Sequence, residues 1–275
     1  MTWLLRPTHL AYQDRLRTRA RELGTELGWP EEVSRPMYWA LAGGKGLRPL
    51  LLNWAYRAAV GRDNGWTELT VDAGLALEMV HAFSLIHDDL PAMDDDNFRR
   101  GRPTLHRLTT EGLAVLAGDA LLIAAFEVLS VSPGDAAVRL GCIRELSRAA
   151  GASGMTGGQW RDLEGRADFA RMDELLVTHR MKTGALFGAA TAMGARLARL
   201  SDARVGSARE WGVQLGVWFQ LVDDRLDDEV PEAHAREMEA RCDKLCRELS
   251  ANAPAWLTNA EELPALLHLL QTRVT

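Results

Sequence analysis

The strongest constraint on the fold is a helical periodicity that runs through almost the whole sequence. Ala, Leu, Glu and Arg recur at spacings of three and four residues, whereas the alternation of β-branched and aromatic residues that marks strands is scarce. Glycines and prolines interrupt this pattern and leave room for about ten helices of ordinary length. The sequence therefore predicts an all-α protein.

The positions of glycine and proline predict where the helices end. The expected breaks are Gly28–Pro30, Gly43–Pro49, Gly61–Gly65, Pro91, Gly101–Pro103, Ser132–Gly134, Gly157–Gly158, Pro231 and Pro254. Helices that carry Ala and Leu on several faces belong in the centre of a bundle, and residues 113–130 and 185–198 have this composition.

Length and charge favour one soluble domain over residues 1–275. Apolar residues make up 47% of the 275, the formal charge is −6, and no Pro/Gly/Ser-rich linker marks a boundary. The negative charge argues against a nucleic-acid partner. Asp119 and Glu127 interrupt the longest apolar run, which argues against a membrane span.

Three cysteines and no secretory signal indicate a reducing cytoplasm, and packed thiols are expected at Cys242 and Cys246 in preference to a metal site.

Two clusters of aspartates stand inside apolar parts of the sequence, HDDLPAMDDD at residues 87–96 and VDDRLDD at residues 222–228. A buried negative charge costs free energy unless a cation compensates it. Carboxylate ligands suit Mg²⁺, which takes one or two of them and completes its shell with water and substrate phosphate oxygens. The sequence therefore predicts magnesium binding, and two solvent-exposed acidic helix ends are the alternative.

The spacing within each cluster brings carboxylates together. Asp223 and Asp227 are four residues apart, on one face of a helix, with Asp224 beside them. Asp88 and Asp94 are six residues apart and would lie on opposite sides of an unbroken helix. A break at the intervening proline can return Asp94 towards Asp88.

Basic side chains flank the first acidic cluster in two short segments, GGKGLRP and NFRRGRPT. They are Lys45, Arg48, Arg99, Arg100 and Arg102. Arginine binds phosphate through two parallel hydrogen bonds, and a helix N-terminus adds oriented N–H groups. These segments are therefore candidate phosphate sites, and ordinary solvated surface is the alternative for each one taken alone.

Taken together, these motifs resemble the trans-isoprenyl diphosphate synthases, most nearly the bacterial farnesyl diphosphate synthase type. The resemblance rests on GGKGLRP, HDDLPAMDDDNFRRGRPTLH, GMTGGQWRDL, HRMKTGAL and FQLVDDRLDD, in the family's order between residues 35 and 228. It implies an antiparallel helical bundle around a central cavity, and a homodimer. It also implies a short-chain prenyltransferase, which condenses isopentenyl diphosphate with dimethylallyl or geranyl diphosphate to give farnesyl or geranyl diphosphate.

The resemblance also implies roles for individual residues. Magnesium ions, about three in number and replaceable by Mn²⁺, are expected on Asp88, Asp89, Asp94 and Asp223. Asp224 and Asp227 belong to the same metal site and are expected to support its second side. The isopentenyl diphosphate site is expected at Lys45, Arg48, His81 and Arg100, and the allylic substrate at Arg99, Lys182 and Gln220. The residues expected to take part in catalysis are Asp88, Asp89, Asp223, Lys182 and Gln220.

Two of these assignments have structural alternatives. His81 on an apolar helix could equally be a core histidine with its hydrogen bonds satisfied. Phe83, five positions before the first aspartate, is expected to act as a floor that limits the product to C15 or C10, and simple core packing is the alternative. Gln159 and Asp162 are interpreted as structural: the paired glycines of the same motif permit close helix approach, and the polar pair can form hydrogen bonds between helices.

The sequence departs from the family pattern after the second acidic cluster. Family members usually carry a loop with further lysines there, whereas DDEV runs directly into the helical segment PEAHAREMEARCDKLCREL. Val222 replaces a second Gln, and Gly46 stands where a basic residue is common. Either the loop is deleted, which favours a divergent or non-catalytic subunit, or a segment is missing at this junction. A terpene cyclase is a further alternative on the same fold.

Overall fold

The computed structural model describes residues 7–61, 65–226, 230–258 and 262–272, and these residues are mostly helical. The α-helices are α1 (Pro7–Glu26), α2 (Glu31–Leu41), α3 (Leu47–Val60), α4 (Glu68–Asp88), α5 (Leu105–Leu108), α6 (Glu111–Val131), α7 (Ala136–Ala150), α8 (Met155–Leu163), α9 (Met172–His179), α10 (Ala185–Leu197), α11 (Asp202–Leu226), α12 (Ala235–Ala251), α13 (Ala255–Thr258) and α14 (Glu262–Thr272). A π-helical turn occupies Arg180–Gly184, between α9 and α10. The all-α prediction is confirmed.

One small β-hairpin follows α4 and was not predicted. Strand β1 (Phe98–Arg99) pairs antiparallel with β2 (Arg102–Pro103). Arg100 and Gly101 form the connection with φ angles of 54° and 71°. Positive φ at both central residues is typical of a type I′ turn, which suits a two-residue hairpin. Strands this short leave no alternating pattern in a sequence.

One of the predicted helix breaks is confirmed, and another is wrong. The break at Pro91 is confirmed, because α4 ends at Asp88. The break at Gly157–Gly158 is wrong, because α8 runs through both glycines. A Cβ atom added to Gly158 would lie 2.2 Å from the backbone nitrogen of Lys182. This pair of glycines allows two backbones to approach closely and does not end a helix.

Residue contacts divide the chain into two compact units, and the single-domain expectation stays a prediction. The first unit comprises Pro7–Leu50 and Trp66–Ile143, and the second comprises the described residues of Leu51–Gly65 and Arg144–Thr275. In the first unit, α4 packs against α1 and α6. Arg19 donates to the buried carboxylate of Asp72 (2.8 Å), which also accepts from Ser132 (2.6 Å). This polar network ties α1 to the end of α6.

In the second unit, α10 packs along α11, and residues 186–195 of α10 are all buried, as predicted. The rings of Trp54 and Trp211 lie 5.8 Å apart. The buried carboxylate of Glu145 accepts hydrogen bonds from Arg196 (2.9 Å) and Arg209 (2.7 Å). Because the carboxylate is bonded to two guanidinium groups, its pKa lies below the usual range despite burial.

Two helices, α4 and α6, are long and apolar enough to span a membrane by length and composition. Their most apolar windows are 67% and 44% buried inside the structure. The expected central position of residues 113–130 holds for one face of α6 only, since Leu116 and Ile123 are exposed on the other. The thiols of Cys142 and Cys242 are free and buried, and Cys246 is free and partly exposed.

Candidate active site

The first acidic cluster lies at the C-terminal end of α4. Asp88 is the last residue of this helix and Asp89 is its C-cap. Carboxylates are disfavoured at this negative end of the helix dipole, so they require cations. Arg99 supplies one, because its Nε donates to Asp89 Oδ1 (2.5 Å) and its Nη2 donates to Asp96 Oδ2 (3.1 Å). Burial raises the pKa of Asp89, and Arg99 opposes that rise.

The turn after α4 brings the predicted aspartates together. The backbone N–H of Asp94 donates to the carbonyl of Asp88 (2.9 Å), so the chain doubles back as the proline break predicted. Asp94 is exposed and Asp88 is partly exposed. The hydroxyl of Thr104 donates to the carbonyl of Asp96 (2.8 Å). This bond attaches the segment after the hairpin to the acidic cluster.

The hairpin places two successive arginines in different surroundings. Side chains alternate between the two faces of a strand, and the positive φ of Arg100 turns it further from Arg99. Arg100 Nη1 donates to the carbonyl of Gly43 (3.1 Å) in the segment GGKGLRP. In the same segment, Gln13 donates to the carbonyl of Lys45. Arg99 is therefore hydrogen-bonded to the acidic cluster, and Arg100 is hydrogen-bonded to the glycine-rich segment.

A partly buried carboxylate, Glu78, lies beside Arg100 and the glycine-rich segment. A Cβ atom added to Gly44 would lie 2.3 Å from Glu78 Oε1 and 3.4 Å from Arg100 Nη1. Burial raises the pKa of Glu78, while the positive charges of Arg48, Arg100 and Arg17 act to lower it. Sequence reasoning missed Glu78, although a lone carboxylate in the apolar stretch of α4 was a usable signal.

His81 is one turn further along α4. Burial lowers its pKa well below the usual range, and the nearby charges of Arg48, Arg100 and Arg99 act in the same direction. The imidazole is therefore neutral at neutral pH. A neutral ring keeps one N–H to donate to an anionic ligand without adding a fourth positive charge.

A small open cleft lies beside the hairpin in the first unit. Its lining includes Trp39, Gly43, Leu85, Asp89, Arg99, Arg100 and Arg102. The guanidinium of Arg102 stacks on the ring of Trp39 at 3.5 Å from the centroid. This contact connects the hairpin to α2.

Phe83 lies on α4, and its ring contacts a histidine of the same helix. The ring meets His87 edge-on, with centroids 5.1 Å apart and planes at 80°. His87 Nε2 is 3.1 Å from the carbonyl of Val115 on α6, and it is 3.8 Å from Asp119. The position of the Phe83 ring is therefore set by a residue that is itself attached to α6.

The second acidic cluster lies at the end of α11, in the second unit. Asp223 and Asp224 are neighbours on this helix, so their side chains leave it about 100° apart. Asp224 is buried, and it accepts hydrogen bonds from Gln220 (2.9 Å) and from His179 (2.8 Å). Asp223 is partly exposed. Asp227 lies outside the described residues.

The π turn carries Lys182, the other basic residue expected at the allylic site. Lys182 donates to Asp162 of α8, as expected for a structural role of Asp162. Thr183 donates to Gln220 Oε1 (2.9 Å). Gln159 is buried, and its Nε2 has no partner among the described residues. Val222 is fully buried, so this position packs in the core.

Within the described residues, no three carboxylate, imidazole or thiol groups form a metal-binding cluster. Each unit instead brings together part of the predicted set. The first unit joins Asp89 to Arg99 and brings Asp94 back to Asp88. The second unit joins Gln220 to Asp224.

Residues 30–238 match the protein-family model described as polyprenyl synthetase. The chain belongs to the polyprenyl synthetase family. This membership confirms the predicted family of trans-isoprenyl diphosphate synthases. The roles of the individual site residues stay predictions.

Curated relatives and a solved structure agree with this membership. Farnesyl diphosphate synthase from Bacillus subtilis is 40% identical over 222 residues, which cover 78% of this chain and 73% of that protein. Farnesyl diphosphate synthase from Escherichia coli is 44% identical over 203 residues, 71% of this chain and 65% of that protein. A crystal structure of an FPP/GFPP synthase from Zymomonas mobilis superimposes with a TM-score of 0.78 at 31% identity, covering 94% of this chain and 96% of that one.

Proposed function

We propose that this polyprenyl synthetase is a short-chain prenyltransferase that condenses isopentenyl diphosphate with dimethylallyl or geranyl diphosphate to give farnesyl or geranyl diphosphate. The arginine hairpin carries this proposal. Arg99 bonds the acidic cluster while Arg100 bonds the glycine-rich segment, so two separate anionic groups can be held. The farnesyl diphosphate synthases among its relatives support the same activity.

The two groups of cations suit two diphosphates. Lys45, Arg48 and Arg100, with neutral His81, would hold isopentenyl diphosphate. Arg99 would hold the allylic diphosphate next to the acidic cluster. Lys182 and Gln220 stay predicted contacts of the allylic substrate. Guanidinium groups bind such anions through paired, charge-assisted hydrogen bonds.

The acidic clusters fit magnesium by the chemistry of their donors. Five aspartates occur within residues 88–96, and hard carboxylate oxygens at the negative end of α4 attract a divalent cation. Asp88, Asp89 and Asp94 would hold it in the first unit, and Asp223 in the second. When bound, Mg²⁺ stabilises the charge of the departing diphosphate.

The reaction explains why the site combines cations with apolar walls. The allylic C–O bond breaks, and the diphosphate leaves with the electron pair. The C=C of isopentenyl diphosphate then forms the new C–C bond to the carbocation, and a proton passes to the departed diphosphate. Arg99 and Lys182 would stabilise the leaving charge, while apolar side chains such as Phe83 would exclude water from the cation.

A terpene cyclase would ionise an allylic diphosphate without a second diphosphate site. The cations around Glu78 favour condensation over cyclisation, because a cyclase has no use for them. Only eight residues separate Leu226 from Ala235 in the sequence, and none of them is a lysine. The absence of the family's lysine-bearing loop at this junction supports the other alternative, a divergent or non-catalytic subunit.

The exposed face of α6 supports the proposed homodimer, and the cytoplasmic location stays a prediction. Leu116, Ile123 and Val131 are 59%, 66% and 53% exposed, and a row of large apolar residues on one helix favours burial against another chain. Light scattering tests this assembly, and a monomer at micromolar concentration would contradict it.

Incubation with labelled isopentenyl diphosphate, an allylic diphosphate and Mg²⁺ tests the activity. We expect the label to enter a longer, acid-labile prenyl diphosphate, and we expect EDTA to abolish its formation. Consumption of the allylic substrate without incorporation of the label would indicate a cyclase. No consumption of either substrate would indicate a non-catalytic subunit.

A further inference from the structure

A continuous chain of hydrogen bonds connects the second acidic cluster to the π turn. His179 Nε2 lies 2.8 Å from Asp224 Oδ2, and Gln220 Nε2 donates to Asp224 Oδ1 at 2.9 Å. Gln220 Oε1 in turn accepts from the hydroxyl of Thr183 at 2.9 Å. His179, Asp224 and Thr183 are all buried. Both carboxylate oxygens of Asp224 therefore have protein partners.

The hydrogen bonds of this network have a defined direction from donor to acceptor. A carboxylate only accepts, so His179 donates its Nε2–H to Asp224. The Gln220 amide donates from nitrogen and accepts at oxygen, which fixes its orientation between Asp224 and Thr183. A buried network with every member bonded holds one arrangement of its side chains, because any other arrangement leaves a polar group unpaired.

The backbone around the π turn leaves little room for adjustment. A Cβ atom on Gly158 of α8 would lie 2.2 Å from the Lys182 nitrogen, and one on Gly216 of α11 would lie 2.7 Å from the Gly184 Cα. The turn is therefore packed tightly between two helices. Such single π turns inside helices are frequent at functional sites. The side-chain network sets the position of Thr183 on this turn, beside Lys182.

We infer that His179 is a positioning residue, which acts through Asp224 and Gln220 on the π turn that presents Lys182. Asp224 belongs to this network and is not itself a direct metal ligand. Asp223, which is partly exposed, supplies the metal-binding carboxylate of this pair. The inference rests on the proposed function.

Three substitutions separate the two roles. Asp224→Asn removes the charge but keeps the network, because the amide can accept from His179 and donate to a flipped Gln220. His179→Phe removes the donor and leaves both aspartates. Asp223→Asn is the matched control, since it neutralises the neighbouring carboxylate on the same helix.

The readouts are the Mg²⁺ concentration for half-maximal activity, kcat, and Mn²⁺ binding followed by electron paramagnetic resonance with a non-hydrolysable allylic analogue. Asp223→Asn removes a ligand and should weaken metal binding by more than about tenfold, whereas Asp224→Asn should weaken it by less than about tenfold, the lower end of the effect of changes around a ligand. His179→Phe should lower kcat about 10–100-fold with metal binding unchanged, and His179→Gln should restore part of that loss. Equal weakening of metal binding in Asp223→Asn and Asp224→Asn would overturn the inference.

Thermal unfolding in EDTA tests the network independently of activity. If His179 and Asp224 act together, the shift in Tm of His179→Phe/Asp224→Leu should be smaller than the sum of the two single shifts. Additive shifts would overturn the inference. This arm applies even to a chain without prenyltransferase activity, so failure of the proposed function can be told apart from failure of the network.

Discussion

Phe83→Ala is the substitution that tests the proposed product length most sharply. Phe83 lies five residues before Asp88 on α4, and its edge-on contact with His87 fixes the ring. Removal of the ring vacates the volume of about six carbons, which is enough for one further isoprene unit of five. At about 0.8 kcal/mol per buried CH₂, that unit would gain about 4 kcal/mol by entering the space.

The same substitution has a cost in stability. Phe→Ala in a core costs about 3–5 kcal/mol, and the value here should fall at or below the lower end because Phe83 is only partly buried. His87 keeps its own contact with the Val115 carbonyl, so α4 should stay attached to α6. We therefore expect an active, moderately destabilised enzyme.

Chromatography of the dephosphorylated alcohols measures the effect. We expect the main product to change from C15 in the unmodified enzyme to C20 in Phe83→Ala. Ser84→Ala is the control, because the Ser84 hydroxyl donates to the His81 carbonyl and its loss removes little volume. A C20 or longer product from the unmodified enzyme, or an unchanged profile from an active Phe83→Ala, would refute the assignment of Phe83 as the floor.

Four other substitutions test the charged groups. Asp88→Ala and Asp223→Ala should each abolish Mg²⁺-dependent turnover, and near-normal turnover of either variant in EDTA would contradict this. Without metal, both variants should unfold at or above the original Tm, because each substitution removes one of several mutually repelling carboxylates. Calorimetry should show that Arg48→Ala weakens binding of isopentenyl diphosphate and largely spares an allylic analogue with Mg²⁺, and equal losses would argue against two sites. Burial raises the pKa of Glu78 above its ordinary value of 4.5, so its favourable contribution is complete below that value and is lost as pH rises through the folded pKa. Urea unfolding should therefore show Glu78→Gln gaining stability relative to the original chain as pH rises, and parallel pH profiles would count against a raised pKa of Glu78.

The sequence carried enough information to place the first acidic cluster. The proline at position 91 cannot continue α4 in the ordinary way, and the return of Asp94 to Asp88 follows from that local property. The segment GGKGLRP was likewise recognisable from its composition. Signals of this kind lie within a few residues of one another, so they survive without knowledge of the fold.

Long-range partners were beyond the reach of the sequence pattern. Asp224 bonds to His179, which lies 45 positions earlier, and only the packing of α9 against α11 brings them together. The interpretation of Gly157–Gly158 as a break failed for a related reason. A glycine that ends a helix and a glycine that admits a neighbouring backbone look identical until the neighbour is known.

The stoichiometry of diphosphate release tests the central claim most directly. Released diphosphate and consumed isopentenyl diphosphate are measured in the same reaction with Mg²⁺ and an allylic diphosphate. Condensation predicts one diphosphate released for each isopentenyl diphosphate consumed, and no release when isopentenyl diphosphate is omitted. Release that proceeds at the same rate without isopentenyl diphosphate would contradict the proposed condensation.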